Sequence, residues 1–183
     1  MLNNFMNRKN RCLLGFLGIT VVGTLLHNAY LWTAPFPLFA LIAPVNESVW
    51  EHLKMAYWGV LIYALIESSF FKIKSANRLP SLALGSSAMI LAIVIVFYSY
   101  TSQTGKSVLW VDITTFMASA LVAQGISCHL RKSEKMKKVY QLSSLIYLII
   151  MALLFAFLTY YPPEFDIFID HSASQIELNH SFF

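Results

Sequence analysis

Ionisable side chains that interrupt the apolar stretches of this sequence are few, and they gather at one depth. His27 falls near the end of the first stretch, Glu47, Glu51, His52 and Lys54 crowd the start of the second, and Asp112 lies one turn into the fourth. At about 1.5 Å of rise per helical residue, all of them sit in the outer third of a bilayer core about 30 Å thick. Charged or titratable groups at such depth are expensive, which makes each a functional candidate. Carboxylates and an imidazole offer the oxygen and nitrogen ligands that suit a divalent metal, and the expected metal ligands are Glu47, Glu51, His27 and Asp112. His52 joins from the side or orients a carboxylate through its second nitrogen. Asn46 and Lys54 complete a polar pocket that can equally hold a proton or a small polar solute. Two neighbouring acids need a compensating charge, from a metal, from Lys54 or from a shared proton.

Helical geometry predicts where these groups point. Gly15, Ile19, Gly23 and His27 recur every four residues, and small residues permit close helix approach, so that stripe faces the interior and takes His27 with it. Glu47, Glu51, Lys54 and Trp58 share a face, while His52 is turned about 100° from Glu51. Asp112, Thr115, Ser119 and Ala123 form a polar-to-small stripe of the same interior kind. Purely structural roles compete with these. Acids at a helix start favour the dipole, Lys54 can pair with Glu51 at three-residue spacing, His27 can be a core histidine and Asp112 a helix cap. Glu67 and His129 fall near the opposite helix ends, where solvated interfacial roles are expected.

The elements that must position these residues follow from composition. The chain has 183 residues, 57% of them hydrophobic and 12% charged, with a mean hydropathy of +0.62. Soluble domains carry about twice that charged fraction, which excludes an ordinary water-soluble enzyme, a disordered chain, a disulfide-stapled secreted domain and a nucleic-acid binder. A helix needs about 20 apolar residues to span a bilayer, and five stretches meet that length: Cys12 to Trp32, Ser48 to Phe71, Leu79 to Tyr100, Leu109 to Leu130 and Val139 to Tyr161. The expected fold is an all-α polytopic membrane bundle of five transmembrane helices in a single domain, residues 1–183, with a tail from 162 to 183.

Arg8, Lys9 and Arg11 precede the first span, Lys72, Lys74 and Arg78 separate the second from the third, and Arg131, Lys132, Lys135, Lys137 and Lys138 separate the fourth from the fifth. Eleven of the thirteen basic residues therefore share one side, and the positive-inside rule places the N-terminus in the cytoplasm and the tail outside, in a multi-pass protein of the cytoplasmic membrane. The first span is too long for a signal-peptide core and reads as retained. Cys12 and Cys128 both fall at the cytoplasmic side, where thiols stay reduced, so free cysteines are expected. The uncharged segment from Thr33 to Val45, punctuated by Pro35, Pro37 and Pro44, suits an interfacial or re-entrant connection packed against protein. Ser48 and Glu51 form a capping box at the next helix start. The tail holds four acids and two histidines without a basic residue, and reads as a short strand or an irregular cover. Gly105-Lys106-Ser107 is not a phosphate loop, because Tyr100 stands where the earlier glycine is required.

The stretches TLLHNAYLW, PVNESVWEHLKM, YSYTSQTGKSVLWVDITTF and FLTYYPPEFDIFID resemble a family of small bacterial and archaeal polytopic membrane proteins that carries a domain-of-unknown-function label. PVNESVWEHLK is the most specific of them. The resemblance covers most of the chain and draws attention to His27, Asn46, Glu47, Ser48, Trp50, Glu51, His52, Lys54, Asp112, Pro162, Pro163 and Asp170. It implies a membrane location and the same five-span architecture, and names no activity. The chain departs from it at Tyr100-Thr101-Ser102, where the family has Tyr-Thr-Gly, and after Asp170, where His171 and SASQIEL replace Pro and a later Tyr-Gly pair.

Three function classes fit these residues. One is an outward-facing intramembrane site that binds or transports a cation, proton or small polar solute. Another is a metal-dependent membrane-embedded hydrolase acting at the outer leaflet. The third is an accessory or immunity-type protein that holds a membrane partner, or a second copy of itself, by its helix faces. The bilayer is the one partner common to all three.

Overall fold

The computed structural model describes residues 8–33, 36–70 and 75–170. Pro35, Lys72, Lys74 and the tail from His171 onward lie outside the described residues. Five helices run through the rest: α1 (Arg8–Trp32), α2 (Val49–Phe70), α3 (Arg78–Thr104), α4 (Leu109–Leu130) and α5 (Lys138–Tyr160). No strand occurs among the described residues. The fold is the expected all-α bundle, with boundaries a few residues from those read in the sequence. The third helix is the longest because nothing breaks it until Gly105, whose left-handed φ of 69° closes the helix with an N–H bond to the Thr101 carbonyl.

α1, α3, α4 and α5 are each long and apolar enough to cross a membrane. Their outer surfaces are covered by exposed Leu, Ile, Val and Phe side chains, densest on α5, where just Leu148 and Phe155 are buried. α2 differs. It carries Glu51, Lys54 and Glu67, all three buried, and its apolar residues Leu53, Ala56, Tyr57 and Val60 form the middle of the core. α1 and α3 pack along it, and α5 reaches it through the Tyr57 hydroxyl, which donates to the Leu148 carbonyl, and through Trp50 against Phe155 at 4.8 Å between ring centroids. The helix that carries these buried charges is thus the most enclosed one, which removes them from lipid.

The small-residue stripe of α1 faces inward as expected. Gly15, Ile19 and Gly23 are buried, and a Cβ on Gly23 would stand 2.4 Å from the Phe116 ring of α4. On the facing side, Gly59 of α2 lies at the α1 crossing, where an added Cβ would stand 3.5 Å from the Ile19 carbonyl. The connection after α1 folds into a 3-10 turn, Phe39–Leu41, with Ala40, Ala43 and Pro44 buried against the helices. The described part of the tail is an irregular cover rather than a strand, with a 3-10 turn at Asp166–Phe168 that stacks Phe168 on Trp50 at 5.0 Å.

Two expectations are corrected. Cys12 and Cys128 are not free: they form a disulfide that joins α1 to α4. The helices cross closely enough there that Gly15 leaves no room for a side chain beside Gln124, which brings the two Cα atoms to 6.2 Å. Glu67 is not solvated at the interface. It is buried and paired with Arg131, which leans in from the end of α4. Asn77, also buried, ties the same end together, its amide donating to the Leu130 and Glu134 carbonyls and its oxygen accepting from the Met136 N–H.

Candidate functional site

The local fold before α2 decides which polar groups meet. Ser48 is the residue at which the helix starts, and its Oγ accepts the Glu51 N–H at 3.4 Å. The second half of the expected capping box is replaced. Asn46 Oδ1 takes the Ser48 N–H at 3.0 Å, and the Glu51 carboxylate reaches further back, to the Val45 N–H at 3.0 Å. The chain therefore bends before Ser48, and Glu47 does not continue the helical face of Glu51 and Lys54. A helical wheel extended past the cap places Glu47 beside Glu51; the bend turns it away.

Glu47 swings instead to two imidazoles. Its Oε2 stands 3.4 Å from His52 Nε2, and its Oε1 stands 4.0 Å from His27 Nε2. The two rings lie 5.3 Å apart between centroids. One ligand atom from each of His27, Glu47 and His52 falls within 4.8 Å of the other two. His52 Nδ1 lies 2.9 Å from the Ser48 carbonyl, which can only accept, so Nδ1 carries the proton and donates. In the neutral ring that leaves the Nε2 lone pair aimed at the carboxylate. Two lone-pair-bearing atoms face each other, and an added proton or a cation between them resolves the contact. The Nδ1-to-carbonyl bond is the arrangement that fixes the tautomer of metal-ligating histidines.

The electrostatics agree. When the rings are protonated, the His52 hydrogen bond, helped by the His52 and His27 charges, holds the Glu47 carboxyl below its ordinary range against the opposing effects of burial and of Asp170. The tail fixes the loop as well: Asp170 Oδ2 accepts the Glu47 N–H at 3.1 Å. All three side chains are partly open to the surroundings, with exposures of 37% for His27, 53% for Glu47 and 32% for His52. In tetrahedral zinc sites with bonds of about 2.0–2.1 Å, ligand atoms sit about 3.3 Å apart. The His52–Glu47 pair already has that spacing, and His27, 4.0 Å from the carboxylate, must move closer to reach it.

The remaining candidates occupy other networks. Glu51 and Lys54 form a closed pair, 3% and 0% exposed. Lys54 also donates to the Ala40 carbonyl at 2.7 Å and to Thr159 Oγ1 at 2.9 Å, which uses its three protons. Thr159 Oγ1 in turn lies 3.0 Å from Glu51 Oε1. This pair clamps the connection after α1 and the end of α5 onto α2, and every polar atom in it has a partner. Asp112 accepts the Tyr100 hydroxyl, and that hydroxyl accepts the Val108 N–H at 3.1 Å, which staples the α3–α4 hairpin. Asp112 remains within electrostatic reach of His52. Asn46 acts on the cluster through the Ser48 turn. Sequence reasoning missed Thr159, whose signal was a lone hydroxyl in the last turn of an apolar helix, and Asn77, which carried none.

A family model described as a family of unknown function (DUF6512) matches residues 1–178, and the chain belongs to that family. No curated protein and no solved structure matches the chain.

Proposed function

We propose, with membership of that family as the premise, that this chain is a multi-pass protein of the cytoplasmic membrane, its basic loops inside, whose outward-facing site binds a divalent transition metal of the zinc class. The ligands are His27 Nε2, His52 Nε2 and the Glu47 carboxylate. The observation that carries the reading is the convergence of both Nε2 atoms on one carboxylate while the Ser48 carbonyl occupies the other nitrogen of His52. Two imidazoles favour zinc and its neighbours over calcium or magnesium, which take oxygen.

Binding from outside is favoured over transport because the polar path stops. Below the cluster, Glu51 and Lys54 are mutually satisfied, and the buried hydroxyls of Ser86 and Ser119 donate to carbonyls of their own helices. Two histidines and a glutamate with an open fourth position are also the ligand set of hydrolytic zinc, where the metal lowers the pKa of bound water. That supports an outer-leaflet hydrolase as the second reading. Zinc titration of the purified chain by calorimetry tests the first. One ion per chain, lost in His27→Ala, His52→Ala and Glu47→Gln but kept in Glu164→Gln, is the expected result. No binding by the unaltered chain, or equal binding by all variants, overturns it.

A further inference from the structure

Beyond helix packing, α1 is tied to its neighbours at both ends. One tie is the disulfide from Cys12 to Cys128 of α4. The other, four turns away, is the approach of His27 to Glu47. Between them the α1 contacts are close but smooth, built on Gly15, Gly18 and Gly23 against Gln124, Tyr63 and Phe116, and the α1 threonines Thr20 and Thr24 donate to carbonyls of their own helix. A helix held this way moves as a rod, and releasing one end changes how firmly the other is held.

The covalent tie sits in an unusual place. Cys12 follows Lys9 and Arg11, both exposed, and Cys128 precedes His129, Arg131 and Lys132. Under the orientation proposed above, this end faces a compartment rich in thiol reductants. Neighbouring cations stabilise a thiolate, which makes the pair a good leaving group and a good nucleophile in exchange. Both cysteines are half-buried rather than sealed in the core.

We propose that the Cys12–Cys128 disulfide is a reversible redox latch that fixes α1 on α4 and thereby regulates the metal site at the opposite end of α1; its regulatory part rests on the metal-binding reading. A small-molecule dithiol, or two equivalents of a monothiol, supplies two electrons and two protons. The Cys12–Cys128 S–S bond breaks, two thiols form, and the reductant's sulfurs become the new disulfide. Reduced, α1 loses its inner anchor, and His27 is held less firmly beside Glu47.

The full chain in liposomes is equilibrated across ratios of reduced to oxidised glutathione and probed with a maleimide–polyethylene glycol label. Two thiols are expected to appear and disappear reversibly, with faster hydrogen–deuterium exchange along α1 in the reduced form. Zinc should bind the reduced form at least about fivefold more weakly, within the range of ordinary site-to-site coupling. Cys128→Ser should behave as the reduced form at every ratio. Thiols that label at every ratio, or at none short of denaturation, overturn the latch, as does unchanged α1 exchange. Equal zinc affinity of the two forms overturns the regulation. If neither form binds zinc, the metal reading falls, while labelling and exchange still judge the latch.

Discussion

At the scale of single residues, two kinds of ionisable group lie within a few positions of each other and answer to different tests. His27, Glu47 and His52 converge with ligand atoms partly exposed, whereas Glu51 and Lys54 are buried with every polar atom matched. Removing either histidine ligand should therefore lower zinc affinity by more than the about 10–100-fold that follows loss of an outer-shell partner, with little change in the melting temperature of the metal-free protein, as calorimetry and a metal-free thermal melt would record. Glu51→Gln should do the reverse. It leaves the Lys54 charge buried and uncompensated, which costs about 3–5 kcal/mol, and a normal melting point with lost zinc would contradict the division. Glu67→Gln belongs with Glu51→Gln, because it strands Arg131 in the same way. The lowered Glu47 pKa adds a pH signature. Its contribution to stability is present above the ordinary carboxyl value of 4.5 and is lost as pH falls through the lowered folded value. In metal-free protein that acid limb of the melting curve should vanish in Glu47→Gln.

Helices set the next scale, and α1 and α2 show what patterning can and cannot reveal. The four-residue recurrence of Gly15, Ile19, Gly23 and His27 pointed correctly to an inward stripe, because periodicity and residue size are local properties of a sequence. The same wheel applied to Glu47 joined it to Glu51, since nothing in the residue types shows that Ser48 and Asn46 bend the chain there. Likewise, Cys12 meets Cys128 and Glu67 meets Arg131 across 116 and 64 positions, distances at which only the packed fold brings partners together. The α1–α2 crossing itself is testable. A Cβ at Gly59 would rest at an ordinary 3.5 Å from the Ile19 carbonyl, so Gly59→Ala should be nearly neutral. Gly59→Leu has no such room and should cost about 1–3 kcal/mol, read as a drop in melting temperature. Equal effects of the two would mean that the helices stand further apart.

For the whole molecule, the distribution of basic residues governs orientation. Reporters at the N-terminus and between Arg131 and Lys138 should read cytoplasm, and a reporter after Asp170 should read outside, because eleven of thirteen Lys and Arg lie on one side. With the N-terminus in the cytoplasm, a cytoplasmic tail reporter would require an even number of crossings and overturn the five-span arrangement. Composition made the all-α bundle legible from the sequence, since long apolar stretches admit few structures in lipid. It could not show that the second stretch is central, because enclosure depends on what the other four helices do.

That central place has a consequence for how the protein is made. α2 leaves the ribosome second, yet its polar groups are completed by segments that follow: Arg131 comes 64 residues after Glu67, and Thr159 comes 108 residues after Glu51. At about 5–20 residues per second, Glu67 waits about 3–13 s for its partner. During that interval α2 is a charged helix in search of shelter, either beside the insertion machinery or against α1. A chain truncated after α3 should accordingly be held there or degraded, and its lifetime in pulse-chase should rise once synthesis passes Arg131.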